Sequence, residues 1–249
     1  MKIFSQNVNG VRARIKGGLE NAIKEVDPDI ICLQEFRARP DQVPKSFLDE
    51  YIGYYSIHQK PGYAGAATFV RASLDQPFLA VDDFPDGDEP GRVSILDFKG
   101  FKLINSYSPN SGQNLEKLER RTEWQAKLCA YIKEQMKPVI LCGDLNVAPL
   151  KIDTNTKSRA GTSFAERKAF QDILDLGYAD VFRERNPQLT QYTWFSNQYN
   201  AREQNKGMRL DQFVIANELM PLVNDMYHCY EDKLVAGSDH VPIILDINL

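Results

Sequence analysis

The sequence predicts one α/β domain built around a mixed, largely antiparallel sheet core. Two apolar runs bounded by turn residues, Ile30-Ile31-Cys32-Leu33 and Val139-Ile140-Leu141-Cys142, have the form of strands buried on both faces. Two stretches, 114–136 and 165–176, space their apolar residues as helices do. No repeat, low-complexity run or linker-like composition divides the 249 residues, of which 43% are hydrophobic, enough for one substantial core.

The elements follow in order. Residues 2–7 alternate apolar and polar positions and predict a strand. A helix over 18–26 stops at Asp27-Pro28-Asp29, because the residue before proline is pushed out of the helical region. After the strand at 30–33, strands are predicted at 54–58, 65–71, 91–98 and 102–107, the last two paired as a hairpin through Lys99-Gly100-Phe101. The helix over 114–136 carries Leu115, Leu118, Trp124, Leu128, Ile132 and Met136, and Pro138 ends it. A polar loop over 150–161 precedes the helix at 165–176, and strands return at 209–216 and 241–247.

No apolar run is long enough to span a bilayer, and Met1-Lys2-Ile3-Phe4 lacks the shape of a secretory signal, so a soluble cytoplasmic protein is expected. The four cysteines, Cys32, Cys129, Cys142 and Cys229, form no C-x-x-C pair, and those in apolar runs are expected to pack as reduced thiols. A net charge of −4 does not advertise nucleic-acid binding. It hides basic clusters at Arg12, Arg14 and Lys16, at Arg37 and Arg39, at Lys157 and Arg159, and at Arg202, Lys206 and Arg209.

Polar residues recur where apolar strands end: Asn7 and Asn9, Gln34 and Glu35, Tyr107 and Asn110, Asp144 and Asn146. Asp211 opens one strand, and Asp239 and His240 precede another. Strand ends converge on a shared rim, so these groups are expected to meet. Carboxylate and amide oxygens suit Mg²⁺ or Mn²⁺, whereas three histidines and dispersed cysteines support zinc poorly. With neither a P-loop nor a G-x-S-x-G elbow, metal-assisted hydrolysis of a phosphodiester fits best.

Ser5-Gln6-Asn7-Val8-Asn9-Gly10, Leu33-Gln34-Glu35, Tyr107-Ser108-Pro109-Asn110, Gly143-Asp144-Leu145-Asn146 and Ser238-Asp239-His240 resemble, in order and spacing, the motifs of the exonuclease III/AP endonuclease family. The segment from Ala201 to Asp211 resembles the family's stretch near its abasic-sugar pocket, and the resemblance runs the length of the chain. It implies a DNase I-like four-layer α/β sandwich, two packed mixed sheets flanked by helices. The implied activity is Mg²⁺-dependent hydrolysis of double-stranded DNA, 5′ to an abasic site or at 3′ ends, by a monomer with no membrane role.

By the same resemblance, Glu35 is the principal metal ligand, helped by Asn7 and Asn9, with Asp239, Asp144, Asn146 and His240 around the ion. Asp144 orients and deprotonates the attacking water, and Asn146 holds that water or stabilises the phosphorane. His240, its tautomer set by Asp211, donates to the phosphate, with Tyr107 and Asn110 beside it. Trp194, Phe195, Met208 and Leu210 match the positions lining the pocket for a baseless sugar. Arg12, Arg92, Lys157, Arg159 and Arg202 are expected phosphate contacts.

Many relatives carry Trp where this chain has Gln6, and Trp or Leu where it has Met208. Gln6 is expected to meet solvent or a local hydrogen bond, and Met208 to soften the pocket wall. Gln113 replaces a basic residue that some relatives insert into DNA, implying weaker product retention. Lipid-cleaving members of the wider superfamily share the phosphate chemistry, but the sequence offers no basic amphipathic helix or lipidation motif. A catalytically dead binding module would have lost Glu35, Asp144, Asn146 or His240, and none is lost.

Overall fold

A computed structural model describes residues 1–84 and 90–249. The chain begins with β1 (Lys2–Asn7), α1 (Val11–Lys16), α2 (Leu19–Val26), β2 (Ile30–Gln34), β3 (Tyr51–Ser56) and β4 (Ala66–Arg71). It continues through β5 (Leu79–Val81), β6 (Val93–Asp97), β7 (Lys102–Tyr107), α3 (Leu118–Lys133), β8 (Val139–Asp144), α4 (Phe164–Leu174), β9 (Tyr178–Asp180) and α5 (Val181–Arg185). The last elements are β10 (Trp194–Phe195), β11 (Gly207–Met208), β12 (Asp211–Ala216), β13 (Val223–His228), α6 (Asp232–Val235) and β14 (Ile243–Ile247).

Two six-stranded sheets form, ordered β13-β14-β1-β2-β4-β3 and β5-β6-β7-β8-β12-β9. Each is mixed, with β1 parallel to β2 and β7 parallel to β8 among antiparallel neighbours. Strand side chains alternate in direction, so each sheet has two faces to cover. Ile3, Ile30, Cys32, Leu103, Ile140, Cys142, Phe213 and Leu245 fill the layer between the sheets. The intervening positions Phe4, Ile31, Leu33 and Ile244 pack outward against Leu19, Ile23 and Leu234 of α2 and α6. On the far side Ile104, Leu141 and Val214 meet Trp124, Leu128 and Ile132 of α3 and Phe170 of α4. The result is the expected four layers, with the buried Cys32 and Cys142 thiols free and packed as apolar groups.

A polar bridge also crosses the layer between the sheets. Gln34 Nε2 donates to Asn105 Oδ1 at 2.7 Å, and Asn105 Nδ2 reaches Thr68 Oγ1 at 3.2 Å. Both amides are fully buried. Such a pair tolerates only one relative placement of the two sheets, because a slip leaves polar groups unpaired.

Several predicted boundaries shift. The long helix is shorter at both ends than 114–136, and Met136 is 98% exposed rather than part of the apolar stripe. The strand expected at 54–58 lies at Tyr51–Ser56, where pairing with β4 sets the register. Strand β13 was not predicted. It is an edge strand with a bulge between Val223 and Asp225, and its exposed Asn224 and Asp225 break the apolar pattern. Among the described residues no helix is long and apolar enough to cross a membrane.

Candidate active site

Strand pairing assembles the polar strand ends. The parallel pair β1–β2 sets Asn7 beside Gln34, and the parallel pair β7–β8 sets Tyr107 beside Asp144. Strand β12 runs antiparallel to β8 and brings its first residue, Asp211, opposite Asp144. The segment before β14 then delivers Asp239 and His240 to the same rim, bridged to Trp194.

The backbone turns sharply there. Asn9, Glu35 and Asn146 all adopt left-handed conformations at φ 44°, 50° and 49° when taken in the order Asn9, Asn146, Glu35. For Glu35 this costs about 1–2 kcal/mol relative to the right-handed form. Such outliers persist where surrounding contacts over-determine them. Gly143 sits at φ 122°, and a Cβ there would come within 2.2 Å of the Ser106 carbonyl oxygen, so the close approach of β7 requires glycine.

A hydrogen-bonded network joins the groups. Asn7 Nδ2 donates to Glu35 Oε1 at 3.0 Å and to Asp144 Oδ2 at 2.9 Å, tying two carboxylates together. The Asn7 oxygen, expected to help ligate metal, accepts from the Asn9 backbone N–H at 3.0 Å. Asn9 Nδ2 and the Trp194 indole N–H each hold one oxygen of Asp239, at 3.0 and 3.2 Å. His240 Nδ1 lies 2.8 Å from Asp211 Oδ2, while its Nε2 stands 3.9 Å from Asp144 Oδ2. Asn146 donates from its backbone to Asp144 and from its side chain to the Ser108 carbonyl, and Asn110 Nδ2 donates to Asn146 Oδ1.

Charge is unevenly distributed. Burial pushes the Asp144 carboxyl up to about 7; His240 opposes this, and the charges of Asp211 and Glu35 reinforce it. Burial alone would depress His240, but Asp211 and Asp144 outweigh it and raise the imidazole to about 10. Tyr107 is held well above the ordinary phenol range by burial, then by Glu35 and Asp144, so it stays neutral and carries a proton. Among the described residues, Asp144, Asp211 and His240 bring ligand atoms within 4.8 Å of one another, a buried group that could hold a metal ion.

These residues open on a pocket of about 300 Å³. Glu35, Tyr107, Asn110, Asp144, Asn146, Asp239 and His240 line its polar side, and Trp194, Met208, Leu210 and Gly161 its less polar wall. Gly161 is held by Glu166, whose carboxylate also caps α4 through Ser163. Phe195 does not line the pocket; it packs with Tyr192, Val235 and Val241.

The expected phosphate contacts divide. Arg12, Lys157 and Arg159 are exposed, and Arg12 lines a neighbouring cleft with Lys16 and Arg37. Arg92 is only 4% exposed, its guanidinium 4.6 Å from the Tyr107 ring centre and bonded to the Tyr63 hydroxyl. That places it behind Tyr107 rather than at the open surface. Arg202 is tied to the Tyr230 carbonyl and to Asp232. Arg209 is fully buried between Asp153 and Asp180. Gln6 is also fully buried, so it meets no solvent, and its amide donates to the Val235 and His240 carbonyls.

Two residues of the site escaped the motif reading. Arg37 pairs with Glu35 Oε2. Arg121 is buried beneath the Asp144–Asn146 turn and donates to the Leu145 carbonyl at 2.7 Å. Its signal lies in the helix pattern, since Arg121 occupies a 3–4 spaced stripe with Leu118, Gln125, Leu128 and Ile132.

Residues 4–240 match the model of the "Endonuclease/Exonuclease/phosphatase family". The chain is 39% identical to the exodeoxyribonuclease of Bacillus subtilis (strain 168), with all of both chains covered. It is 35% identical to the DNA repair nuclease APEX1 of Danio rerio, over 98% of this chain and 81% of that one. The solved structure of an AP endonuclease from Archaeoglobus fulgidus superposes with a TM-score of 0.88 at 28% identity, covering 100% of both chains. The family match over residues 4–240, together with relatives 39% and 35% identical, makes this protein a member of the endonuclease/exonuclease/phosphatase family.

Proposed function

We propose that the chain is a Mg²⁺-dependent DNA-repair phosphodiesterase that cuts double-stranded DNA 5′ to an abasic site, with 3′–5′ exonuclease and 3′-end-cleaning activity alongside. The carrying observation is that Asp144 and His240, the latter backed by buried Asp211, line a pocket whose other wall is Trp194, Met208 and Leu210. A small apolar wall accepts a sugar without its base, and a missing base lowers the cost of extrusion. On this reading the protein acts as a monomer in the cytoplasm, where thiols such as Cys32 and Cys142 stay reduced.

Glu35, Asn9 and Asp239, with Asp144, Asn146 and His240 adjacent, supply the donors for Mg²⁺, or Mn²⁺ in its place. The repulsion of Asp144 by Asp211 and Glu35 is the excess negative charge a cation relieves. When bound, the ion neutralises phosphate charge. Asp144, oriented by Asn7 and Asn146, takes a proton from water as the water oxygen bonds to phosphorus. His240 donates to a phosphate oxygen while Asp211 holds its ring. As the P–O3′ bond breaks, the departing oxygen needs a proton, and neutral Tyr107 has one to give.

The test offers protein and Mg²⁺ a duplex with one abasic analogue beside an undamaged 3′-recessed duplex. Incision 5′ to the lesion, abolished by EDTA and by Asp144→Asn with DNA binding retained, is the expected result. Digestion from ends alone would instead establish a 3′–5′ exonuclease; Met208, as an adaptable pocket wall, bears on the balance between the two. EDTA-insensitive binding without cleavage would sink both.

A further inference from the structure

The turn that delivers Asp239 and His240 is strained. Ala236 has φ 51° and Gly237 φ 75°, so two consecutive residues are left-handed, one of them bearing a side chain. A turn of this kind stays in place only if its surroundings hold it. Three side-chain bonds do so from the end of β1. Gln6 Nε2 donates to the Val235 carbonyl at 3.0 Å and to the His240 carbonyl at 3.1 Å, clasping the turn at both ends. Ser238 Oγ donates to the Asn7 carbonyl at 2.7 Å and accepts from the His240 N–H at 3.2 Å.

The Gln6 amide has one workable orientation. Reversing it would aim its oxygen at two carbonyl oxygens. As it stands, Oε1 is buried without a partner. A buried unpaired acceptor is a standing cost to the fold, set against the two carbonyls that the amide nitrogen satisfies. An apolar side chain of equal size would remove that cost, and with it both donors.

We propose that Gln6 is a positioning residue: it fixes the strained 235–240 turn so that the His240 imidazole meets Asp211 on one side and faces Asp144 on the other. It touches none of the reacting atoms. Its effect on turnover rests on the DNA hydrolysis proposed above, whereas its effect on His240 does not. Gln6→Met keeps length and volume while removing both donors, so the turn gains freedom and the His240 carbonyl loses this partner.

The chain has three histidines, His58, His228 and His240, so imidazole NMR signals are few enough to assign. The bond to Asp211 should keep the Nδ1–H signal of His240 sharp in the parent, and in Gln6→Met that signal should broaden or shift. The melting temperature should fall by only about 2–4 °C, and at about 25 °C kcat on the abasic-analogue duplex should fall about ten- to a hundredfold with KM little changed. If Gln6→Met does not fold, Gln6→Asn, one methylene too short to clasp both carbonyls, serves the same test. Unaltered kcat overturns the proposal, as does a loss of activity with the His240 signal unmoved. If the parent protein cleaves no DNA, the hydrolysis reading fails, and the His240 signal still decides the role of Gln6.

Discussion

Asp211 is fully buried and commits one carboxylate oxygen to His240, while its other oxygen has no hydrogen-bond partner. It is therefore arranged for the imidazole and for little else. A carboxylate in this place sets which ring nitrogen carries the proton and stabilises the imidazolium. Asp211→Asn keeps the shape and removes the charge. It should lower kcat on the abasic-analogue duplex about ten- to a hundredfold and leave KM nearly unchanged. A variant with parental kcat would show that His240 needs no such partner. At this scale the sequence was informative, because Asp144, Asn146, Asp211, Asp239 and His240 stand in short motifs at strand ends. It could not show that Asn7 would present its nitrogen to two carboxylates, or that Arg37 would pair with Glu35. The first depends on chain segments that meet only in space, the second on the left-handed backbone at Glu35 and Arg37.

Between elements, the pocket wall depends on a buried ion network. Arg209 lies between two pocket residues, Met208 and Leu210, on the short path from β11 to β12. Its guanidinium bonds Asp153 and Asp180 and stacks over Phe182 at 5.4 Å, joining β9, α5 and the turn after Leu150. Breaking a buried pair strands the remaining charge. Arg209→Met, which leaves Asp153 and Asp180 without this partner, should cost about 3–5 kcal/mol in urea unfolding. A loss within experimental error would mean Arg183, which also binds Asp153, can carry the network alone. In sequence Arg209 belonged to a basic cluster with Arg202 and Lys206, a pattern usually read as a solvated face. Neither strand β9 nor helix α5, which bury it, had a pattern long enough to announce itself.

Across the whole molecule, His228 makes stability depend on pH. It lies stacked on Phe182 with ring centres 4.2 Å apart, and its Nε2 is buried without a partner. Burial, then Arg209, lowers its pKa from 6.5 to about 3. The folded protein thus keeps this ring neutral where the unfolded chain takes up a proton. Stability therefore falls as pH drops through the window between those two values, by about 1.4 kcal/mol per pH unit at most. His228→Phe keeps the stack and should flatten this acid limb in urea titrations across the window. An unchanged limb in the variant would assign the effect to other groups.

The sequence by itself determined the α/β class, the buried strands over 30–33 and 139–142, and the residue types gathered at strand ends. Those features follow from local periodicity and turn chemistry, which neighbouring residues settle among themselves. Tertiary structure decided the rest. The Gln34–Asn105 bridge, the burial of Arg92, Arg121 and Arg209, and the grip of Gln6 on the His240 turn all join residues distant in the chain. A buried polar group takes its meaning from the partner that satisfies it, and that partner is chosen by how the two sheets pack.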